Sequence, residues 1–164
     1  MTDGTVTDGT GTDSPGKLVI GWYVHHQGFG HGSRFAAVAG RMRQLFPFVD
    51  VVGLGSLRPG AWHHDWIDLP LDNLPKPTEA SDPRAGGALH YAPLRHDGFQ
   101  ARSVITADWL RAAKCDLFVV DVSIEMLLLG RLCSVPTVAV GMRGSREDRP
   151  HSLGFDVASA ILAP

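Results

Sequence analysis

The segment between residues 17 and 45 most constrains how this chain can fold. It opens with the apolar run KLVIGWYV, continues through the glycine- and histidine-rich HHQGFGHGS, and ends in RFAAVAGRMRQL. The first run is typical of a strand that is buried on both faces. From Phe35 the apolar residues recur at the spacing of a helix with one buried stripe, and Ser33 is placed to cap that helix. The segment therefore predicts a strand, a tight turn and a helix, an arrangement that puts ligands at the carboxyl end of a parallel strand.

Strand-like and helix-like segments alternate along the rest of the chain. The predicted elements are strands at 48–54, 116–122 and 135–141, and helices at 99–114, 124–133 and 152–162. The residues between them, 55–97, are rich in proline and glycine and predict an irregular excursion, with short extended pieces at 66–70 and 88–94. This alternation predicts a single α/β domain over residues 17–164, a three-layer Rossmann-like domain with a mostly parallel sheet.

Composition excludes several classes of protein. A net charge of −2 argues against a nucleic-acid binder, and Arg34, Arg41 and Arg43 are interpreted as the solvated face of the first helix. Residues 1–16 lack the basic and apolar regions of a signal peptide and predict a disordered tail. No apolar run approaches the roughly 20 residues of a transmembrane segment. With its two cysteines interpreted as reduced thiols, the chain is expected to be cytoplasmic.

The glycine-rich turn is open to three interpretations, of which the first is a dinucleotide-binding loop. Gly28, Gly30 and Gly32 mark places where the backbone turns sharply or is approached closely by a ligand. Gly28 and Gly30 also begin the dinucleotide pattern, but Ser33 occupies its third glycine position. The second strand furthermore lacks the acidic residue that would bind a ribose.

The second interpretation is a metal site formed by histidines. It would use His25, His26 and His31, joined by His63 and His64. Adjacent histidines at a strand end are expected to point to opposite sides, and no cysteine or paired carboxylate stands at ligand spacing around them. The sequence therefore predicts no bound metal here.

The third interpretation is a catalytic base. His31 follows a glycine at the start of a helix, and a neutral imidazole there can accept a proton from a hydroxyl group. Asp121 ends a buried strand, so it is expected at the same edge of the sheet, where it can orient the imidazole. Ser123 is expected to cap the next helix, and Glu125 stands in its first turn. The residues predicted to contact substrate around the His31–Asp121 pair are His25, His26, Gly28, Gly30, Gly32, Ser33, His90, Ser123, Glu125 and Arg143.

Three of these features together resemble a known family: a strand entering a Gly-His turn, an apolar helix after it, and DLFVVD closing a later strand. They are similar to the N-terminal, acceptor-binding half of GT-B glycosyltransferases, including the antibiotic, glucuronosyl and peptidoglycan lipid-intermediate N-acetylglucosaminyl transferases. The resemblance implies that His31 is the base and that Asp121 orients it. It also implies catalysis without a metal or a bound cofactor, with a nucleotide-sugar donor as co-substrate.

In that fold a second domain binds the nucleotide-sugar, and this sequence ends where such a domain would begin. The chain is therefore expected to be a truncated or divided enzyme, which takes a small-molecule or lipid-linked acceptor and works with a separate C-terminal donor-binding domain. The alternative is a non-catalytic Rossmann-like or flavodoxin-like module that binds a nucleotide or a partner protein.

Overall fold

Six parallel strands form one sheet in the computed structural model, which describes residues 16–163 apart from the side chain of Phe29. The strands are β1 (Leu18–Tyr23), β2 (Val49–Gly55), β3 (Trp66–Asp68), β4 (Leu117–Asp121), β5 (Thr137–Val140) and β6 (Ala160–Leu162). They lie in the order β3-β2-β1-β4-β5-β6, and every neighbouring pair is parallel. The predicted parallel α/β fold is confirmed, whereas the predicted tail lies outside the described residues except for Gly16.

Four helices cover the two faces of this sheet. They are α1 (Phe29–Leu45), α2 (Asp97–Ala112), α3 (Ile124–Leu132) and α4 (Arg149–Val157). On one face α1 packs through Phe35 and Ala39, together with Trp62 and Trp66 of the excursion. On the other face α2, α3 and α4 pack against strand residues such as Phe118. Buried side chains therefore alternate between the faces along β1, β2, β4 and β5, which gives the three predicted layers.

The first helix begins earlier than its apolar stripe predicts. It starts at Phe29, and its N-cap is Gly28, which provides no side-chain cap. The expectation that Ser33 caps this helix is wrong, because Ser33 lies inside it. Gly30 and Gly32 are likewise helical rather than part of the turn. The stripe begins only at Phe35, and the glycines of the first turn add no helical pattern to the sequence.

Two further predicted elements differ from the structure. The last helix was expected at 152–162, but α4 spans Arg149–Val157 and the chain then becomes extended at Ala158 to form β6. A short apolar run such as AIL fits a helix or a strand equally well, and pairing with the open edge of β5 decides between them. The expected extended piece at 88–94 is a series of turns after a short 3₁₀ helix at Ala85–Gly87.

The excursion packs against the sheet rather than extending from it. Its predicted piece at 66–70 begins with β3, which pairs with β2. Trp62 and Trp66 are buried against Phe35, with ring centroids 4.5 and 5.8 Å away. Within residues 16–163 no helix is both long and apolar enough to cross a bilayer.

Candidate functional site

His31 and Asp121 meet at the carboxyl edge of the sheet. Because β1 and β4 are neighbours, the last residue of β4 lies beside the turn that follows β1. The Asp121 side chain is fully buried, and its Oδ2 lies 3.0 Å from Nδ1 of His31, whose side chain is 12% exposed. The structure thus places together two side chains that are 90 positions apart in the sequence. Nδ1 is buried at ion-pair distance from the carboxylate but not in hydrogen-bond geometry, so Nε2 is the nitrogen available to a substrate.

Arg34 completes this cluster. Its Nη1 donates a hydrogen bond of 3.2 Å to Oδ1 of Asp121, so a cation and an imidazole contact the two oxygens of one buried carboxylate. The interpretation of Arg34 as part of a solvated helix face is therefore wrong. The i, i+3 spacing of His31 and Arg34 places them on one helix face, a signal that is visible once the helix is known to start at Phe29.

The turn before α1 has a backbone conformation that favours glycine. Gly28 has φ of 95°, in the region that L side chains rarely adopt. A Cβ on Gly28 would lie 3.8 Å from Cδ2 of His31, so the His31 ring is in van der Waals range of this turn. The ring of His31 also lies 5.6 Å, between centroids, from the ring of His25.

His25 and His26 lie side by side, contrary to the expectation that they point to opposite sides. Their rings stack with centroids 5.0 Å apart and planes 12° apart. Both residues follow the end of β1 at Tyr23, where the alternation of a strand no longer holds. The pKa of His25 is lowered to about 4, mainly by burial and to a lesser extent by the nearby His26 and His31. Burial also lowers the pKa of His26, so both imidazoles are neutral at pH 7.

A large cavity of about 710 Å³ opens between α1 and the start of the excursion. Small residues dominate its wall on the α1 side, and Ser33 adds a hydroxyl group there. A Cβ on Gly32 would approach Cγ of Pro59 to 3.1 Å, so this glycine permits the close contact of helix and loop. Of the predicted substrate contacts, this cavity is lined by His25, His26, Gly28, Gly32 and Ser33.

A second cavity of about 330 Å³, lined mostly by polar residue types, lies beside the same two histidines. Five of the residues predicted to contact substrate line this cavity: His25, His26, His90, Ser123 and Glu125. Ser123 caps α3 as expected, since its Oγ accepts a hydrogen bond of 3.3 Å from the amide of Met126. The carboxylate of Glu125 binds the excursion, accepting hydrogen bonds from the amides of His90 (2.8 Å) and Tyr91 (2.9 Å).

Two predicted substrate contacts lie away from both cavities. Gly30 is exposed on α1, and a Cβ added to it would meet nothing within 4 Å. Arg143 is exposed in the loop after β5 and, among the residues described, lines neither cavity. The structure therefore places neither residue on the wall of either cavity.

A buried ion pair missing from the sequence-based predictions lies next to the smaller cavity, which its aspartate, Asp72, lines. Arg102 of α2 is fully buried, and its Nη1 lies 3.0 Å from Oδ2 of Asp72 in the excursion. It also donates to the hydroxyl of Tyr23, whose pKa burial raises to about 12. Arg102, Thr106 and Leu110 recur at i, i+4 along the buried face of α2, which is the sequence signal that could have revealed it.

Comparison with solved structures identifies the fold. It is similar to that of a UGT transferase from Siraitia grosvenorii in complex with UDP, with a TM-score of 0.51, 14% sequence identity, and coverage of 76% of this chain and 28% of that one. It is also similar to MurG from Acinetobacter baumannii, with a TM-score of 0.54, 13% identity, and coverage of 88% of this chain and 40% of that one. No protein-family model and no curated protein sequence matches the chain.

The chain thus spans less than half the length of either structure. At this level of identity the likeness establishes the fold alone. The predicted resemblance to the Rossmann-like half of a GT-B glycosyltransferase is confirmed for the fold.

Proposed function

We propose that this chain is the acceptor-binding half of a nucleotide-sugar-dependent glycosyltransferase. The observation that carries the proposal is the distance of 3.0 Å between His31 Nδ1 and the fully buried carboxylate of Asp121 at the ligand-binding edge of the sheet. A buried carboxylate against one ring nitrogen orients an imidazole for proton transfer at the other nitrogen. The GT-B-like fold supports the choice of sugar transfer among the reactions that such a pair can serve.

In the proposed reaction Nε2 of His31 removes the proton of an acceptor hydroxyl group. The acceptor oxygen then bonds to the anomeric carbon of the donor sugar, while the bond from that carbon to the nucleotide phosphate breaks. Asp121 stabilises the imidazolium that forms, and Arg34 fixes the carboxylate through its second oxygen. The transition state is expected to resemble an oxocarbenium ion, by analogy with glycoside hydrolysis.

The larger cavity is the proposed acceptor site. A volume of about 710 Å³ suits a whole small organic molecule. Its wall is rich in small and apolar residues, which favours an acceptor with a sizeable apolar body, either a small molecule or the first part of a lipid-linked one. His31 does not line this cavity, but it lies next to Gly28, which does, so the reacting hydroxyl is expected at that end of the bound acceptor.

The nucleotide-sugar donor is proposed to bind to a separate C-terminal donor-binding domain. The UDP in the Siraitia grosvenorii structure supports a nucleotide-linked donor. Leu153 of α4 and Ile161 and Leu162 of β6 are exposed apolar residues at one edge of the domain, which supports a protein contact there. The non-catalytic alternative, a module that binds a nucleotide or a partner protein, is not favoured by the two solved structures described above.

Acceptor binding is tested first, with a panel of hydroxylated aromatic and macrocyclic compounds and isothermal titration calorimetry. Ala37→Trp places a large side chain in the cavity and is expected to abolish binding of any compound that the wild type binds. Val38→Trp is the matched control, because Val38 is the next residue of the same helix and does not line this cavity. If both variants bind the compound equally well, the larger cavity is not the acceptor site.

The catalytic assignment is tested by sugar transfer in the protein as its gene encodes it, with the acceptor found in the binding screen. His31→Ala and Asp121→Asn are each expected to lower turnover by about 10²-fold or more, the usual contribution of a positioned general base. Binding of the acceptor is expected to remain within a few-fold of wild type. Turnover close to wild type in both variants would show that another group is the base.

A further inference from the structure

Three side chains from two distant parts of the sequence converge outside the His31–Asp121 pair. His90 belongs to the excursion, whereas Asp148 and His151 belong to the start of α4. One nitrogen or oxygen atom from each lies within 4.8 Å of the other two. Among residues 16–163 this group, and not the histidines of the turn, has ligand atoms close enough to share one ion.

The three side chains are directed at one another. Nε2 of His90 lies 3.1 Å from Oδ1 of Asp148, and Nδ1 of His151 lies 2.6 Å from Oδ2 of the same carboxylate. The two imidazole rings contact each other edge-on, with centroids 4.4 Å apart. Ligands around a tetrahedral Zn²⁺ ion lie about 3.4 Å from one another, given metal–ligand distances of about 2.1 Å. Small side-chain movements would therefore suffice to place an ion between them.

Each ligand is held in place before any ion binds. The amide of His90 donates a hydrogen bond of 2.8 Å to Glu125, which fixes this part of the excursion. Asp148 is the N-cap of α4 and accepts a hydrogen bond of 3.2 Å from the amide of His151.

We propose that His90, Asp148 and His151 form a binding site for a divalent transition-metal ion of the Zn²⁺ class. Two imidazoles and one carboxylate are ligands that suit Zn²⁺, Ni²⁺ and Co²⁺ better than Mg²⁺ or Ca²⁺, which prefer oxygen ligands alone. His90 and His151 line the polar cavity of about 330 Å³, so the remaining coordination position faces that cavity. Three protein ligands with one open position are typical of zinc sites that also bind a small molecule or water.

The proposed site is separate from the His31–Asp121 pair and does not depend on the proposed function. An ion there would link the excursion to α4 by metal–ligand bonds in place of the hydrogen bonds to Asp148. It is therefore expected to stabilise the domain against heat, since the unfolded chain does not hold the three ligands together.

The test is a titration of untagged, chelator-treated protein with Zn²⁺, followed by calorimetry, and with Co²⁺, followed by visible absorption. We expect one equivalent to bind, with tetrahedral or five-coordinate Co²⁺ absorption and a higher melting temperature. His90→Ala and His151→Ala are each expected to weaken binding by at least about 100-fold, because each removes a direct ligand. Asp148→Asn removes the charge but keeps an oxygen that can cap α4, and it is expected to weaken binding as well.

His63→Ala is the matched control, since His63 is an exposed histidine of the same excursion outside the cluster. It is expected to bind Zn²⁺ as wild type does. Imidazole NMR signals of the wild-type protein provide a second measurement that does not depend on variants folding: Zn²⁺ should shift those of His90 and His151 and leave His63 unchanged. Absence of binding by the wild type, or shifts centred on other histidines, would overturn the proposal.

Discussion

Replacing Arg102 with methionine is expected to destabilise the domain by about 3–5 kcal/mol, the cost of breaking a buried ion pair by removing one partner. The Arg102 side chain is fully buried, and Asp72, which lies 3.0 Å away, is nearly so. Arg102 also donates to the carbonyl oxygen of Pro70 at 3.0 and 2.6 Å and to Oγ of Ser56 at 2.5 Å. Methionine fills much of the same volume but removes these donated hydrogen bonds and leaves the carboxylate without a cation.

This loss is a large share of the stability of a domain, which is typically about 5–15 kcal/mol in total. For a chain of this length it corresponds to a fall in melting temperature on the order of 10 °C. Arg111→Met is the matched control on the same helix. The side chain of Arg111 is 78% exposed and lies 3.8 Å from Asp108, and such surface pairs contribute about 0–1 kcal/mol.

The free energy of unfolding is measured by urea denaturation followed by circular dichroism, for wild type, both single variants and the double variant Asp72→Asn with Arg102→Met. The double variant should recover part of the loss, because it no longer buries an unpaired charge. The argument that this buried pair holds the excursion in place would be refuted if Arg102→Met lowered the free energy of unfolding by less than about 1 kcal/mol, or by no more than Arg111→Met does.

Three further outcomes are expected. Gly28→Ala should destabilise the domain by about 1–2 kcal/mol in thermal unfolding, because the φ of Gly28 is 95°. Gly30 lies in helical backbone with open space around it, so Gly30→Ala should stabilise the domain by about 0.5–1 kcal/mol. Burial lowers the pKa of His25 in the folded state to about 4 from an ordinary 6.5, so the unfolded state binds more protons between these values. Urea midpoints at pH 7 and pH 5 should therefore show a greater loss of stability on acidification in wild type than in His25→Gln. Burial raises the pKa of both cysteine thiols, and the more deeply buried Cys115 should react with a thiol reagent more slowly than Cys133.

The fold and the central pair were predictable because both depend on strong sequence signals. Buried parallel strands are continuous apolar runs, and a polar residue that ends such a run must emerge at the carboxyl edge of the sheet. Asp121 satisfies that rule, and His31 follows the strand that becomes its neighbour in the sheet. Two local signals therefore predicted a contact that spans 90 positions of the sequence.

The remaining polar contacts depend on tertiary structure that no local pattern encodes. Arg34 and Arg102 belong to a residue type that is usually exposed, and each is paired here with an aspartate from another segment of the chain. His90 contacts Asp148 because Glu125 of α3 accepts a hydrogen bond from the excursion and holds it in place. This hydrogen bond could not be predicted from a sequence segment that was expected to be irregular. The start of α1 and the strand β6 were missed for a different reason, because exposed or very short segments carry little periodic signal.

The way the excursion is attached limits how this domain could be redesigned for new acceptors. Residues 55–97 contribute one wall of the larger cavity, so exchanging them for a segment of another protein is the obvious route to altered specificity. A transplanted segment would need to present a carboxylate and a main-chain oxygen to the guanidinium of Arg102, and two amide groups to Glu125. Grafts that preserve these four contacts should tolerate wide variation elsewhere. Grafts chosen only by length or overall similarity would leave the guanidinium of Arg102 buried without a carboxylate partner.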